Sequence, residues 1–148
     1  MAVRKALVII SGAVQEMPGG DTLAGAGGGG AAHSPGAAFG DGTNAASIAV
    51  GQIAYVRVPY AGTISRWDIA ADVACTAQID VWKAAGAVPT VANTITAAAK
   101  PALTAQDTAG SSTLTGWTTT VSVGDVLAFR LDSLTGAPKQ LNIALLVS

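Results

Sequence analysis

Residues 125–147, DVLAFRLDSLTGAPKQLNIALLV, decide the fold. Leu127, Phe129 and Leu131 form one face of the first run. After the loop at 134–139, Leu141, Ile143, Leu145 and Val147 form one face of the second. Successive side chains of an extended chain point to opposite faces, so a period of two marks strands with one buried side. Upstream the signal recurs. In 52–59, Ala54, Val56 and Val58 alternate with Ile53, Tyr55 and Arg57. In 63–73, Trp67, Ile69, Ala71 and Val73 alternate with Ile64, Arg66 and Asp68, after a hairpin-like break at Tyr60-Ala61-Gly62. In 77–83, Ile79 and Val81 face away from Asp80 and Trp82. Residues 91–97 and 102–105 are weaker runs, and the Thr-rich stretch 113–123 suits an exposed or edge strand. No window has helical periodicity. Strands at such intervals, punctuated by Gly and Pro, predict an all-β protein, and about eight of them predict a jelly-roll-like antiparallel β-sandwich.

Toward the N-terminus the character changes near residue 47. Residues 19–46, including GAGGGGAAHSPGAAFGDG, carry almost no large apolar side chain and read as linker. The first 18 residues read as a strand, a turn at Ser11-Gly12 and a second strand ending at Met17-Pro18. Their basic start and short apolar run resemble a signal peptide, but the run is far too short to span a membrane, and a retained strand is the better expectation. The expected organisation is therefore an N-terminal hairpin with a Gly/Ala-rich attachment arm over 1–46 and a sandwich domain over 47–148. Ordering a Gly-rich chain costs about 1–2 kcal/mol per residue, so such an arm is expected to be ordered by the assembly it grips.

Of the 148 residues, 50% are hydrophobic and only 11% charged, with a formal net charge of −1. A surface so poor in charge associates readily, and an oligomer is expected. No basic patch with interleaved aromatics indicates nucleic acid. The single cysteine, Cys75, excludes an internal disulfide and reads as a buried, inert thiol.

The chemical motifs are weak. Gly25, Gly27 and Gly30 fit G-x-G-x-x-G, but without the strand, helix and distal acid that a dinucleotide site requires. His33, the only histidine, lies in the Gly-rich stretch, where nothing holds it for catalysis or metal binding, and reads as solvated or interfacial. Asp125, beside Gly124, and Asp132, beside Ser133, read as turn residues rather than a glycosidase pair. A calcium site among loop aspartates has no supporting spacing. Arg66 and Asp68 share a face and are expected to form a surface ion pair. Trp67 reads as core and Trp117 as a sheet-edge residue. Trp82 lies on the side of Asp80; pointing out of the sheet it would serve a subunit interface, with a sugar-stacking surface or simple core as the lesser alternatives. No catalytic residue, cofactor or metal is expected.

The pattern KALVIISGAVQEMPGGDTLAGA, residues 5–26, resembles a segment of tailed-bacteriophage tail-fibre and other virion proteins, in which a short hairpin precedes a Gly-rich linker. Residues 62–110 and 112–133 resemble a β-sandwich module found at the ends of phage structural proteins. The resemblance implies a non-enzymatic virion component that assembles in the host cytoplasm. Tail fibres are usually longer and carry shaft repeats, which are missing here. A capsid decoration, cement or head-fibre protein is therefore expected, bound to the major capsid protein lattice as a homotrimer. The alternative is a tail-fibre or tail-tip module recognising host glycan. The expected assembly contacts are Val8, Ile9, Ile10, Val14, Met17 and Trp82, with neither nucleic acid nor membrane as a partner.

Overall fold

A computed structural model of the chain describes residues 7–10, 13–16 and 31–148. The chain divides into two compact units, Met1–Ala31 and Ala32–Ser148. In the first, β1 (Leu7–Ile10) and β2 (Ala13–Glu16) pair antiparallel, with Leu7 opposite Glu16 and Ile10 opposite Ala13. The turn expected at Ser11-Gly12 and the strand end at Met17-Pro18 lie outside the described residues.

The second unit is all-β, antiparallel and sandwich-like. It comprises β3 (Gly36–Phe39), β4 (Ile53–Arg57), β5 (Gly62–Ala85), β6 (Ala102–Ser111), β7 (Thr120–Val121), β8 (Asp125–Thr135) and β9 (Leu141–Val147), with one 3-10 turn at Val91–Asn93. The strand order is β3-β9-β5-β8-β4, with β6 and β7 also on β5. The register explains the layering. Ala77 pairs with Leu103 of β6 and Leu134 of β8, while Ile69 pairs with Ala109 of β6 and Ile143 of β9. A strand has only two edges, so β6 follows one edge of β5 and β8 and β9 succeed each other along the other. The result is two layers sharing β5 and β6. One holds β4, β8 and the second half of β5, the other β3, β9 and the first half.

The layers turn where the register breaks. β5 loses regular pairing with β6 between Ala70 and Ala77, Ala105 of β6 takes a left-handed φ of 52°, and β8 and β9 separate at the loop around Gly136. Asp72 ties the bend to that loop by accepting hydrogen bonds from the backbone N–H groups of Lys139 and Gln140 at 2.9 and 3.1 Å. The inner faces meet in one core containing Ile79, Leu127, Phe129 and Leu131 from one layer and Ile69, Ile143, Leu145 and Val147 from the other. β3 and β4, the two ends of the strand order, come into contact, so the sheet nearly closes on itself.

Several expectations change in detail. The runs 63–73 and 77–83 are one continuous strand, and β8 lies between β4 and β5, so no hairpin forms across Tyr60-Ala61-Gly62. A bulge between Ile64 and Arg66 in the pairing with β9 reverses the alternation, which puts Ile64 into the core. Val73, expected on the core face, is 46% exposed because it sits at the bend. Of the Thr-rich stretch 113–123 only Thr120–Val121 is strand, and 91–97 is a 3-10 turn followed by irregular chain.

The boundary expected near residue 46 falls instead after Ala31. His33 exchanges two backbone hydrogen bonds with Val147, both 2.8 Å long, and its ring stacks on Tyr60 with centroids 3.8 Å apart. Gly36–Phe39 then pairs with β9, from Gly36 opposite Ala144 to Phe39 opposite Leu141. The loop that follows is organised by Asp41, whose carboxylate accepts from Thr43 N–H and Ala46 N–H. Residues 33–46 thus belong to the sandwich rather than to a free arm. Backbone pairing holds them, with Phe39 as the one large buried side chain, so composition carried little trace of it. Gly36 has a specific reason to be glycine: a Cβ there would overlap the Ile143 carbonyl oxygen on the neighbouring strand. Gly36→Ala is therefore expected to destabilise the protein by about 1–3 kcal/mol through overpacking, as measured by urea unfolding. Gly42→Ala also places a methyl group, but with no atom within 4 Å of its Cβ. Its cost comes from the left-handed φ alone and serves as the comparison.

Candidate functional site

The main concentration of buried charge lies on the outer face of the layer formed by β4, β8 and the second half of β5. Alternation along β5 sends Ile79 and Val81 into the core and Asp80 and Trp82 to the opposite side. That side is covered as well: all four residues are buried. The cover comes from residues 91–101. Thr94 bridges to Trp82 at the edge of β5, and Ile95 N–H donates to the Val81 carbonyl at 2.9 Å.

Asp80, 2% exposed, accepts hydrogen bonds from the hydroxyls of Thr94 and Thr96 at 2.6 and 2.7 Å. Its other oxygen meets Lys100 Nζ at 3.0 Å. Lys100 also donates to Asp132 Oδ2 at 2.6 Å, and Arg130 Nη1 donates to Asp132 Oδ1 at 2.7 Å. The Arg130 guanidinium carbon lies 5.8 Å from the Trp82 ring centroid, within cation–π range. Two carboxylates and two cations therefore form one chain of neutral total charge. Asp132 reaches it because β8 bulges there: Gln78 pairs with Ser133 and Ile79 with Leu131, leaving Asp132 without a partner in the register. Asp132 is not the strand-closing turn residue expected, since β8 runs on to Thr135.

Burial alone would raise the Asp80 carboxyl. The hydrogen bonds from Thr94 and Thr96, the nearby Trp82 indole and the Lys100 ammonium outweigh it and hold the group below its ordinary 3.8. Lys100 is held above its ordinary 10.5 by its hydrogen bond to Asp132 and by Asp80, against the effect of burial. The signs fix the pH response. Stability contributed by Asp80 is present above pH 3.8 and is lost as pH falls through its lowered folded value. Stability contributed by Lys100 is present below 10.5 and is lost as pH rises through its raised one. Thermal melting followed from pH 6 down to about 2 is expected to show a fall below pH ~4 that is shallower in Asp80→Asn. Equal acid slopes in the two proteins would remove Asp80 from the account.

Chemically, Asp80 is ionised, buried and occupied by two hydroxyls and an ammonium. Buried and already accepting from three donors, it is poorly placed to meet a substrate. What the cluster does is pin residues 90–100 across the sheet.

Trp82 lies on the outer side of its strand as expected, but it is covered there rather than exposed. It is 5% exposed, because the 91–101 segment and Arg130 cover it. Its indole Nε1 is buried near Asp80 but meets no acceptor in good hydrogen-bond geometry. Trp117, also buried, donates from Nε1 to the Ala99 carbonyl at 2.8 Å and so helps hold the same segment. Trp67 is only partly buried. The other expected contact residues lie in the N-terminal unit: Val8, Ile9 and Ile10 on β1 and Val14 on β2, with Ile9 opposite Val14 and Val8 opposite Gln15. Met17 lies outside the described residues, as do Gly25, Gly27 and Gly30.

Several other polar groups serve the fold. Asp125 accepts from Ser122 N–H at 2.9 Å and lies 3.6 Å from Lys83 Nζ, which is turn chemistry with a partly buried ion pair. Arg66 and Asp68 pair at the surface at 2.6 Å. Cys75 is buried, and desolvation followed by the nearby Asp72 charge pushes its thiol pKa up, which keeps it unreactive. Among the described residues no group of three or more His, Cys, Asp or Glu side chains is placed to hold a metal ion. The Asp80 cluster could have been noticed in advance. QIDVWK puts a tryptophan on the polar side of a strand, and NTIT supplies two hydroxyls at alternating positions.

No family model, curated protein or solved structure matches the chain.

Proposed function

We propose that this protein is a non-enzymatic structural component of a bacteriophage particle, a decoration, cement or head-fibre protein. In this reading the N-terminal unit attaches to the major capsid protein lattice, and the sandwich, as a homotrimer, stabilises the shell. The observation that carries the reading is the division after Ala31. A small unit with its own two-stranded hairpin, bearing the sequence that resembles virion attachment segments, precedes a sandwich whose buried charges are spent on one another. That is the layout of a displayed module rather than of a reaction centre. A cement protein binds the assembled lattice and not its dissociated subunits, so it shifts the assembly equilibrium by mass action.

The alternative is a tail-tip module that recognises host glycan, and Tyr55, 50% exposed, is the aromatic that would serve it. Trp82 and Trp117 are buried and offer no stacking platform. Copy number on purified particles separates the two readings: hundreds of copies fit a shell protein, a few to some tens a tail. Particles stripped of the protein are expected to lose resistance to heat and low salt while still adsorbing to cells. Intact resistance with lost adsorption would reverse the assignment.

A further inference from the structure

One exposed strip of the sandwich combines apolar side chains with an unpaired cation. On the edge strand β4, Ile53, Tyr55 and Arg57 alternate outward, with Ala54 and Val56 turned toward the interior. Ile53 is 38% exposed and Tyr55 50%. At the end of the strip lies a cavity of about 300 Å³ lined by Arg57, Val58, Pro59, Val123 and Gly124. The Ser122–Asp125 turn forms its far wall. That wall is fixed by backbone bonds from Gly124 N–H to the Val58 carbonyl at 2.7 Å and from Val58 N–H to the Asp125 carbonyl at 2.8 Å. Gly124, at φ 88°, leaves the wall bare, and a Cβ there would meet an Arg57 guanidinium nitrogen at 3.8 Å.

Arg57 is set apart by lining the cavity without an acidic partner. Arg66, Lys83, Lys100 and Arg130 all face carboxylates, whereas Arg57 and Lys139 form no ion pair among the described residues, and of these two it is Arg57 that lines the cavity. Its charge is left for something outside the sandwich. The rest of the cavity is apolar, and Val123 on its rim is 69% exposed. A metabolite site would need several convergent polar groups to fix orientation. One guanidinium among valines and a proline, continuing onto an exposed isoleucine and tyrosine, has instead the composition of an interface hot spot, in which Arg and Tyr are enriched.

We infer that the β4 strip and the Arg57 cavity are a docking surface for a protein partner that presents a carboxylate beside an apolar side chain. The carboxylate pairs with Arg57, the apolar group fills the space between Pro59 and Val123, and Ile53 and Tyr55 extend the contact. The chemistry of the site does not depend on the virion reading. Naming the partner as the capsid lattice does rest on it.

Two measurements on the full-length protein test this. The first is binding of labelled protein to particles lacking it. Arg57→Ala and Tyr55→Ser are each expected to weaken binding about tenfold or more, Arg57→Lys less, and Val88→Ser, an exposed apolar residue elsewhere on the sandwich, not at all. Wild-type affinity in Arg57→Ala and Tyr55→Ser overturns the proposal. No binding by the wild-type protein overturns the virion reading and leaves the site to the second measurement. This is an NMR titration with 4-methylpentanoate and its uncharged amide. The acid is expected to shift the Gly124 amide and Arg57 Nε–H signals, and Arg57→Ala to abolish the response. Equal shifts with acid and amide, or none, overturn the site itself. Sedimentation of the same variants completes the test: unchanged oligomeric state supports a foreign partner, and loss of self-association in Arg57→Ala overturns it in favour of a second copy of this chain.

Discussion

Lys100→Met is expected to lower the free energy of unfolding by about 3 kcal/mol. Lys100 is the one cation on Asp80, at 3.0 Å, and Asp80 is almost wholly removed from water. The methionine fills the space of the lysine stem but leaves a buried carboxylate with only the Thr94 and Thr96 hydroxyls. Breaking one partner out of a buried pair costs more than the pair is worth, because the surviving charge keeps its desolvation penalty without its compensation. Asp132 loses less, since Arg130 still donates to it at 2.7 Å. The cycle with Asp80→Asn isolates the effect. In the asparagine background no charge is stranded, so Lys100→Met is expected to cost well under half as much. Urea unfolding of the four proteins decides the matter. Equal costs of Lys100→Met in the two backgrounds would show that Asp80 is not held by Lys100. The loss is also expected to show locally, as faster amide exchange at Ile95, whose N–H bonds the Val81 carbonyl at the seam that the cluster closes.

Phe129→Ala is expected to be at least as damaging, at about 3–5 kcal/mol. Phe129 is fully buried and is the largest of the completely buried side chains. It sits on β8 opposite Val81 of β5 and Ala54 of β4, in the middle of its layer. Strand backbones on both sides are fixed by hydrogen bonds, so the site cannot collapse around an alanine, and the cost approaches the full transfer and cavity terms. Small domains have only about 5–15 kcal/mol in total, so a large share of the stability goes. The urea midpoint is expected to fall with little change in slope. Val88→Ser, at a residue 66% exposed, is expected to stay within about 0.5 kcal/mol of the parent. A Phe129→Ala cost below about 1 kcal/mol would mean that the two layers repack freely, contrary to the single core described above.

Much of this architecture could be read from residue order. Leu127, Phe129 and Leu131 on β8, the alternating residues of β9, and Val58 just after β4 are where their period of two placed them, because large apolar side chains recur at every second position of each run. Two kinds of feature escaped. One is the edge strand Gly36–Phe39, which is held by backbone hydrogen bonds to β9 and leaves little trace in a Gly/Ala-rich composition. The other is any residue whose face depends on a bulge. Ile64 and Asp132 change sides because one extra residue enters the ladder next to them, and periodicity counted along a single strand cannot register that.

The candidate surfaces divide the same way. Trp82 shares a strand face with Asp80, as its position requires, but burial of that face depends on residues 91–101, the segment that follows β5, folding back over it, which alternation along the strand does not reveal. Arg57 shows the converse: its outward position follows from alternation, while its lack of an acidic partner among the described residues emerges only from the tertiary structure. The sequence by itself determined the class of fold and the inward faces of β4, β8 and β9, since alternation is a local property of an extended chain. Only the tertiary structure decided where the sandwich begins, which charges are buried together and which tryptophans are hidden. These depend on which strands become neighbours, and that is settled by pairing across the sheet rather than by order along the chain.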